Sequence, residues 1–150
     1  MNTIPVSKNP AKPWLMRYRN LNLEAAAIER AIRRAMETAT NTTVALKEIC
    51  VQTSGGGDLM ANAVVNVVDA TEILNTRRKE ALQIMSEIMD AIKSVPDDVQ
   101  RVILIEKYIN GRTLQDISKD VHYEKRNMII LHGRALWGVW QWMKKNGIAE

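Results

Sequence analysis

Phenylalanine is absent from this chain of 150 residues, and aromatic residues of all kinds make up only 5% of it. The hydrophobic core must therefore rest on isoleucine, leucine, valine, methionine and alanine, a composition that suits helices better than a β-sandwich. Glycine and proline are also scarce, at seven and four residues. Since strand-like alternation of apolar and polar residues is hard to find anywhere, we expect an all-α fold.

Cysteine occurs once, as Cys50, so the chain cannot form an internal disulfide, and a reducing cytoplasm is the natural compartment. No apolar run approaches the roughly 18 residues that a membrane span requires. Residues 1–13 also lack the apolar core of a signal peptide. These absences predict an intracellular protein with no membrane partner.

Basic residues exceed acidic ones by 21 to 17, which gives a formal net charge of +4. The excess lies at the two ends of the chain. Residues 1–50 hold eight basic and four acidic residues, residues 51–95 hold four and six, and residues 96–150 hold nine and seven. This net positive charge is smaller than that of a histone-like protein, and it is compatible with contacts to a modest number of nucleic-acid phosphates.

Two long heptad patterns follow an N-terminal segment, residues 1–13, that contains three prolines and is predicted to form an irregular arm. From about 14 to 50, and again from about 59 to 95, apolar residues step by four and three, the 3.5-residue repeat of a coiled-coil seam. Residues 51–58 contain three consecutive glycines, which predict a loop. We therefore expect residues 14–95 to form a long, coiled-coil-like antiparallel helical hairpin whose uncovered faces favour self-association. The seam positions are Leu21, Ala25, Ile28, Ile32, Ala35, Ala39, Thr42, Leu46 and Ile49 in the first helix, and Met60, Val64, Val67, Thr71, Leu74, Arg78, Ala81, Met85, Ile88, Ile92 and Val95 in the second, where Arg78 fits poorly.

Residues 96–147 are predicted to form a C-terminal domain. Pro96 ends the second long helix, because the residue before a proline is pushed out of the helical region. Proline and the two aspartates after it suit the first turn of a third helix, and Asn110 with Gly111 ends that helix. Its predicted apolar positions are Val99, Val102, Ile103, Ile105, Tyr108 and Ile109.

The segment Thr113–Leu136 has the pattern of two helices joined by a tight turn. Thr113 is placed to cap the first helix, with Asp116 three residues later, where a capping-box acid sits. After a break in the pattern, Glu124 opens a second helix that ends near Gly147. Such a helix-turn-helix can lay its second helix in the major groove of DNA. The predicted apolar positions are Leu114, Ile117 and Val121, then Met128, Leu131, Ala135 and Leu136.

Catalytic and metal-binding motifs are missing from the sequence, which has no nucleophile–histidine–acid constellation and no HExxH. Gly55–Gly57 is followed by Asp58 rather than by Lys and Ser or Thr, so this glycine run is a linker and not a nucleotide cradle. His122 and His132 have no cysteine or acidic partner at metal spacing. We expect a binding protein rather than an enzyme, with no metal and no cofactor.

The tract RVILIEKYINGRTLQDIS, followed by a turn and a helix ending in RAL, resembles region four of bacterial sigma factors, which binds the −35 promoter element. More widely, the chain resembles small sigma-like regulators from phages of Gram-positive bacteria, including the ArpU- and RinA-type late-gene activators. The shared features are a helical N-terminal half, an SGGGD-like loop, an IxxVPD linker and a final LHGRAL, and the resemblance covers most of residues 20–140. It implies regulation of late or packaging genes in the host bacterial cytoplasm, with promoter DNA and host RNA polymerase as partners. His122 stands where such turns often carry glycine, and histidine tolerates positive φ better than most residues.

Carried over by position, the resemblance makes the second helix of the motif the recognition helix. Lys125, Arg126 and Asn127 suit phosphate and base contact near its N-terminus, the end that usually enters the groove. Ile129 and Ile130 stand where sigma factors carry polar or basic side chains, and they cannot hydrogen-bond to base edges. They can contact thymine methyls, bind a protein or help to bury the hairpin. The predicted DNA-binding residues are Arg112, Thr113, Gln115, Lys119, Lys125, Arg126, Asn127, Ile129, Ile130 and Arg134.

Three tryptophans near the C-terminus, Trp137, Trp140 and Trp142, allow two interpretations. One or two of them close the core against the preceding helices, or they form an exposed aromatic patch for a second copy or for RNA polymerase. Trp14 is placed to pack against them.

Two other functions stay open on the sequence. Small terminase subunits, which package DNA, also combine a helix-turn-helix with an oligomerising helical segment. A sigma-like protein-interaction module that has lost DNA binding is the third function, and it is motivated by Ile129 and Ile130.

Overall fold

The computed structural model describes the backbone of residues 4–49 and 57–150, and the side chains of residues 4–41 and 65–150. In this part of the chain, helices and turns make up the whole structure, with no strand, so the predicted all-α class is confirmed. Among the described residues, none of the helices combines the length and apolarity that crossing a bilayer demands. The α-helices are α1 (Ala11–Ile49), α2 (Gly57–Lys93), α3 (Asp98–Leu104), α4 (Leu114–Val121) and α5 (Lys125–Lys145), with a 3-10 turn at Val6–Lys8 and a π-helical turn at Ile105–Ile109.

The chain divides into two compact units, the first made of Met1–Asn20 with Ala81–Glu150 and the second of Leu21–Glu80. The first unit therefore contains the N-terminal arm, the beginning of α1, the end of α2 and the whole of α3, α4 and α5. The second unit contains the remaining described parts of α1 and α2. Most of the predicted loop at 51–58, with Cys50, lies outside the described residues, and α2 begins at Gly57, two residues before its predicted start.

Helix α1 begins at Ala11, earlier than the predicted start at residue 14, so the irregular arm is shorter than expected. Pro13 lies in the first turn of the helix, where a proline sacrifices no intrahelical hydrogen bond. The buried side chain of Asn9 accepts a hydrogen bond from the Ala11 amide at 2.9 Å. This bond satisfies one of the amides that a helix N-terminus leaves without an intrahelical partner.

Helix α3 begins at Asp98, two residues later than the start at Pro96 that the sequence pattern indicated. Asp97 is its N-cap residue, with an extended backbone and a carboxylate that accepts from the Gln100 amide at 2.8 Å. Pro96 therefore precedes the cap and does not lie in the first turn. Val102, predicted to be apolar core, is 42% exposed, whereas Leu104 is fully buried. Successive helical positions differ by about 100°, so four consecutive apolar residues cannot all face one core.

One hydrophobic core holds the first unit together. It draws Leu15 from α1, Ile88 and Ile92 from α2, Leu104 from α3 and Leu136 from α5 into one cluster, all almost fully buried. Burying each such side chain contributes roughly 1.5–3 kcal/mol relative to leaving it in water. The ends of the two long helices are therefore packed against the C-terminal helices within this unit.

A smaller cluster fixes α4 against its neighbours. Ile103 of α3, Ile117 of α4 and Met128 of α5 are fully buried against one another. The residues packed around them are Val99, Leu114, Val121 and Leu131. The predicted apolar positions of α4 and of the first half of α5 are thus confirmed, and they set the position of α5 relative to α4.

In the second unit, the seam of α1 and α2 is buried only in part. Ala25 and Leu74 are buried, but the predicted seam residues Ala35 and Thr71 are exposed. Arg78, the poor fit, is exposed and forms an ion pair with Glu29 of α1 at 3.2 Å. Seam residues Thr42, Leu46, Ile49, Met60 and Val64 have side chains outside the described residues.

Candidate nucleic-acid interface

The start of α4 is fixed by Thr113, as predicted. Its backbone is extended, and its hydroxyl oxygen accepts a hydrogen bond from the Asp116 amide at 3.2 Å. The same hydroxyl donates to the Asp116 carboxylate at 2.8 Å. This reciprocal pair is a capping arrangement with aspartate in the third position. The side chain of Thr113 is therefore engaged within the protein.

The turn between α4 and α5 depends on a left-handed residue at His122, where φ is 57° and ψ is 37°. The amide of Tyr123 donates to the Ser118 carbonyl at 3.3 Å, which closes the end of α4. The prediction of positive φ at His122 is therefore confirmed. The turn occupies residues 122–124, so α5 starts almost immediately after α4 ends.

The first turn of α5 has an unusual charge distribution. Glu124 is its N-cap residue, but the Glu124 side chain makes no capping hydrogen bond, and the first turn contains no acidic residue. Instead the helix opens with Lys125 and Arg126, both exposed and without an ion pair among the described residues. The positive charges of these two side chains add to the positive end of the helix dipole, so this end of α5 is electropositive. The first amides of the helix also have no side-chain cap.

The exposed face of α5 contains all six of the residues predicted to contact DNA from this helix. Ile129 and Ile130 are 51% and 44% exposed, so neither belongs to the core of the chain. The opposite face is buried and contains Met128, His132 and Leu136. The six exposed residues are Lys125, Arg126, Asn127, Ile129, Ile130 and Arg134.

The predicted contact residues at α4 have two different environments. Gln115 and Lys119 are exposed, and Lys119 lies 3.9 Å from the Asp116 carboxylate. Arg112 forms ion pairs with Glu106, at 3.0 Å, and with Asp120. The hydrogen bond from Arg112 holds the pKa of the Asp120 carboxyl below its usual value. Arg112 is therefore neutralised within the protein and connects the π-helical turn to α4.

A buried polar pair that the sequence did not predict lies on the buried side of α5. The hydroxyl of Tyr108 is 2.8 Å from Nε2 of His132, and both residues are buried. Burial, together with the smaller effect of the neighbouring charges of Lys107 and Lys12, lowers the pKa of His132 to about 4. Burial also raises the pKa of Tyr108. The spacing of apolar residues could have indicated that His132 is buried, because His132 follows Met128 by one helical turn and shares its face of the helix.

The C-terminal tryptophans are all half-buried. Trp140 and Trp142 pack against the core of the first unit, and Trp142 lies 5.9 Å from Trp14 between ring centroids, the contact expected from the sequence. Trp137 packs edge-on against Trp140 at 5.1 Å, and the Lys144 ammonium lies 3.8 Å from the centre of the Trp140 ring. Two of the three therefore help to close the core, and Trp137 lies at the edge of the exposed face.

The described residues include no group of three or more His, Cys, Asp or Glu side chains placed to hold a metal ion. Comparisons with protein-family models, with curated proteins and with solved structures find no match to this chain.

Proposed function

We propose that this protein is a sequence-specific DNA-binding transcription regulator, in which α4 and α5 act as a sigma region-four-like helix-turn-helix. In this proposal the N-terminal turns of α5 enter the major groove, and α4 lies across the phosphate backbone. The phage-regulator resemblance adds late or packaging genes as the target and host RNA polymerase as a second partner. Residues 14–95 act as a coiled-coil-like hairpin for self-association.

The observation that carries the proposal is the unneutralised start of α5. A helix stabilised for its own sake places acids in its first turn, whereas α5 places Lys125 and Arg126 there and leaves its first amides without a side-chain cap. That arrangement destabilises the free protein, and a phosphate bound at this end would stabilise it by accepting hydrogen bonds from the amides and neutralising the positive charge. Duplex DNA supplies such phosphates on both edges of the major groove.

The exposed side chains divide into groups by what they can contact. Lys125 and Arg126 are positioned for phosphates or guanine, and Asn127 can bind adenine through two hydrogen bonds. Ile129 and Ile130 offer only apolar surface, which fits thymine methyl groups. Gln115, Lys119 and Arg134 lie on exposed surfaces that suit contacts to the backbone.

Self-association is supported by the apolar surface of the second unit. Met36 of α1 and Val65, Val68 and Ile73 of α2 are each more than half exposed. An apolar groove of about 300 Å³ also runs between the two helices, with walls that include Ile28, Ile32 and Val67. An apolar groove flanked by exposed apolar side chains can serve as an interaction surface. We propose that a second copy covers it.

The proposal can be tested by footprinting the full-length protein on intergenic DNA next to its gene. A protected site of one or two helical turns is expected. Replacement of Asn127 with alanine should then lower the preference for that site over unrelated DNA by about 5- to 100-fold, because a bidentate base contact discriminates by roughly 1–3 kcal/mol. Gln141→Ala is the matched control, since Gln141 is an exposed amide much farther along the same helix.

A second candidate function is protein interaction without DNA binding, and the exposed pair Ile129 and Ile130 favours it. Failure to bind any duplex at low salt, with polymerase binding retained, would support that function instead. A DNA-packaging role as a small terminase subunit would be supported by a ring of many subunits in solution, whereas a dimer fits the regulator.

A further inference from the structure

Lys107 of the π-helical turn lies within electrostatic range of two cations of α1, Lys12 and Arg19, and Lys107 and Lys12 both act on His132 of α5. Their neighbours in the sequence are packed in one core, because Ala11, Leu15 and Tyr108 are fully buried in the same cluster. Burial lowers the pKa of the Lys107 ammonium, and repulsion from Lys12 and Arg19 lowers it further. We call Lys12, Arg19 and Lys107 the basic cluster.

No carboxylate of the described chain neutralises the basic cluster. The ion pairs of the first unit involve Arg17, Arg101, Arg112 and Lys119, and none includes a member of the cluster. The first turn of α1 contains no acidic residue and does contain Lys12, so the positive end of the helix dipole adds to the potential. Repulsion among charges of one sign destabilises the free protein, and a polyanion would relieve it.

The N-terminal arm connects the basic cluster to the recognition helix. A Val6 methyl carbon lies 3.6 Å from the position that a Cβ of Gly133 would occupy, so the 3-10 turn packs directly on the side of α5. Gly133 follows Ile129 by one helical turn and precedes Arg134. The arm therefore packs against α5 one helical turn after Ile129.

We propose that the basic cluster binds DNA phosphates beside the groove that α5 enters, as a second and sequence-independent set of contacts. This inference rests on the proposed function, because it requires that α5 binds duplex DNA. The ligand is the phosphodiester backbone, which presents charges at regular spacing along both edges of the groove.

The test is a salt titration of binding between the full-length protein and an unrelated duplex of roughly 30 base pairs, followed by fluorescence anisotropy. The variant is Lys12→Gln with Lys107→Gln. The matched control is Lys93→Gln with Lys145→Gln, which removes the same charge from two exposed lysines. Lys93 is close in sequence to Val95, whose side chain packs on α5 at Gly138, away from Gly133.

The cluster variant should reduce the slope of log K against log salt by about 1–2, since each phosphate contact contributes about 0.9, and the control should leave the slope unchanged. Thermal unfolding of the cluster variant should show an unchanged or higher midpoint, because the substitution removes repulsion. A folded cluster variant with the wild-type slope would overturn this inference alone. Absence of duplex binding by the wild-type protein would overturn the proposed function as well.

Discussion

The hydroxyl of Tyr108 lies 2.8 Å from Nε2 of His132, and this hydrogen bond joins the π-helical turn to α5 inside the core. The two rings are also stacked, with centroids 5.8 Å apart. Since His132 is on the buried side of α5, opposite the face with Arg126 and Ile130, the pair helps to fix the orientation of the proposed recognition helix.

Replacing Tyr108 with phenylalanine should lower the free energy of unfolding by about 1–3 kcal/mol, because Nε2 of His132 would be buried without a partner. Chemical denaturation of the full-length protein measures this change. Tyr123→Phe is the control, since Tyr123 is 42% exposed and should tolerate the loss of its hydroxyl. Equal stabilities for the two variants would show that the buried hydrogen bond contributes nothing.

The stability of the protein should decrease as pH falls from about 6.5 to about 4. Burial holds the pKa of His132 at about 4, below its ordinary value of 6.5, so between these values the unfolded chain binds a proton that the folded chain does not. The positive charges of Lys107 and Lys12 also disfavour protonation of His132. The destabilisation is absent above pH 6.5 and reaches at most about 3 kcal/mol once the pH falls below about 4.

The pH effect can be separated from that of the carboxylates by comparing wild type with His132→Gln between pH 5 and pH 7. The variant should have a flatter stability profile in that range. Parallel profiles for the two proteins would mean that His132 does not titrate abnormally.

The cap at Thr113 should contribute about 1 kcal/mol to stability, since alanine cannot accept the hydrogen bond from the Asp116 amide. Thr113→Ala should therefore unfold at lower denaturant concentration than wild type. Thr113→Ser keeps the hydroxyl and should remain within a few tenths of a kcal/mol of wild type. Loss of stability in the serine variant alone would contradict the capping role.

Two glycines inside α5 should respond differently to alanine. A Cβ at Gly133 would meet the Val6 methyl at an ordinary distance of 3.6 Å, whereas a Cβ at Gly138 would meet a Val95 methyl at 3.2 Å. Gly133→Ala should stabilise the protein by about 0.5–1 kcal/mol through helix propensity. Gly138→Ala should be less stable than Gly133→Ala, because the close contact with Val95 offsets that gain. Thermal unfolding of both variants tests the order.

Much of the local structure of α4 and of the turn after it was predictable from the sequence. Thr113 and Asp116 have the spacing of a cap, and a break in the apolar pattern at His122 indicated a turn. Positive φ was expected at His122 because the sigma-like turns that the chain resembles often carry glycine there. Such signals are visible in sequence because the interactions are local. The exposed face of α5 was predictable for the same reason, since helical periodicity separates it from Met128 and Leu136.

Long-range partners were not predictable. The engagement of Arg112 by Glu106 and Asp120 depends on how the π-helical turn approaches α4, and no periodic pattern encodes that approach. The pairing of Tyr108 with His132 likewise joins residues 24 positions apart. The shift of Val102 to the surface reflects competition among consecutive apolar residues for one face of α3.

Lys125→Ala combined with Arg126→Ala shows whether the start of α5 binds DNA. Affinity for duplex DNA should fall, and the slope of log K against log salt should decrease by about 1–2, whereas Lys93→Ala with Lys145→Ala should leave the slope unchanged. An unchanged slope in the folded Lys125 and Arg126 variant would show that these two side chains do not contact DNA phosphates.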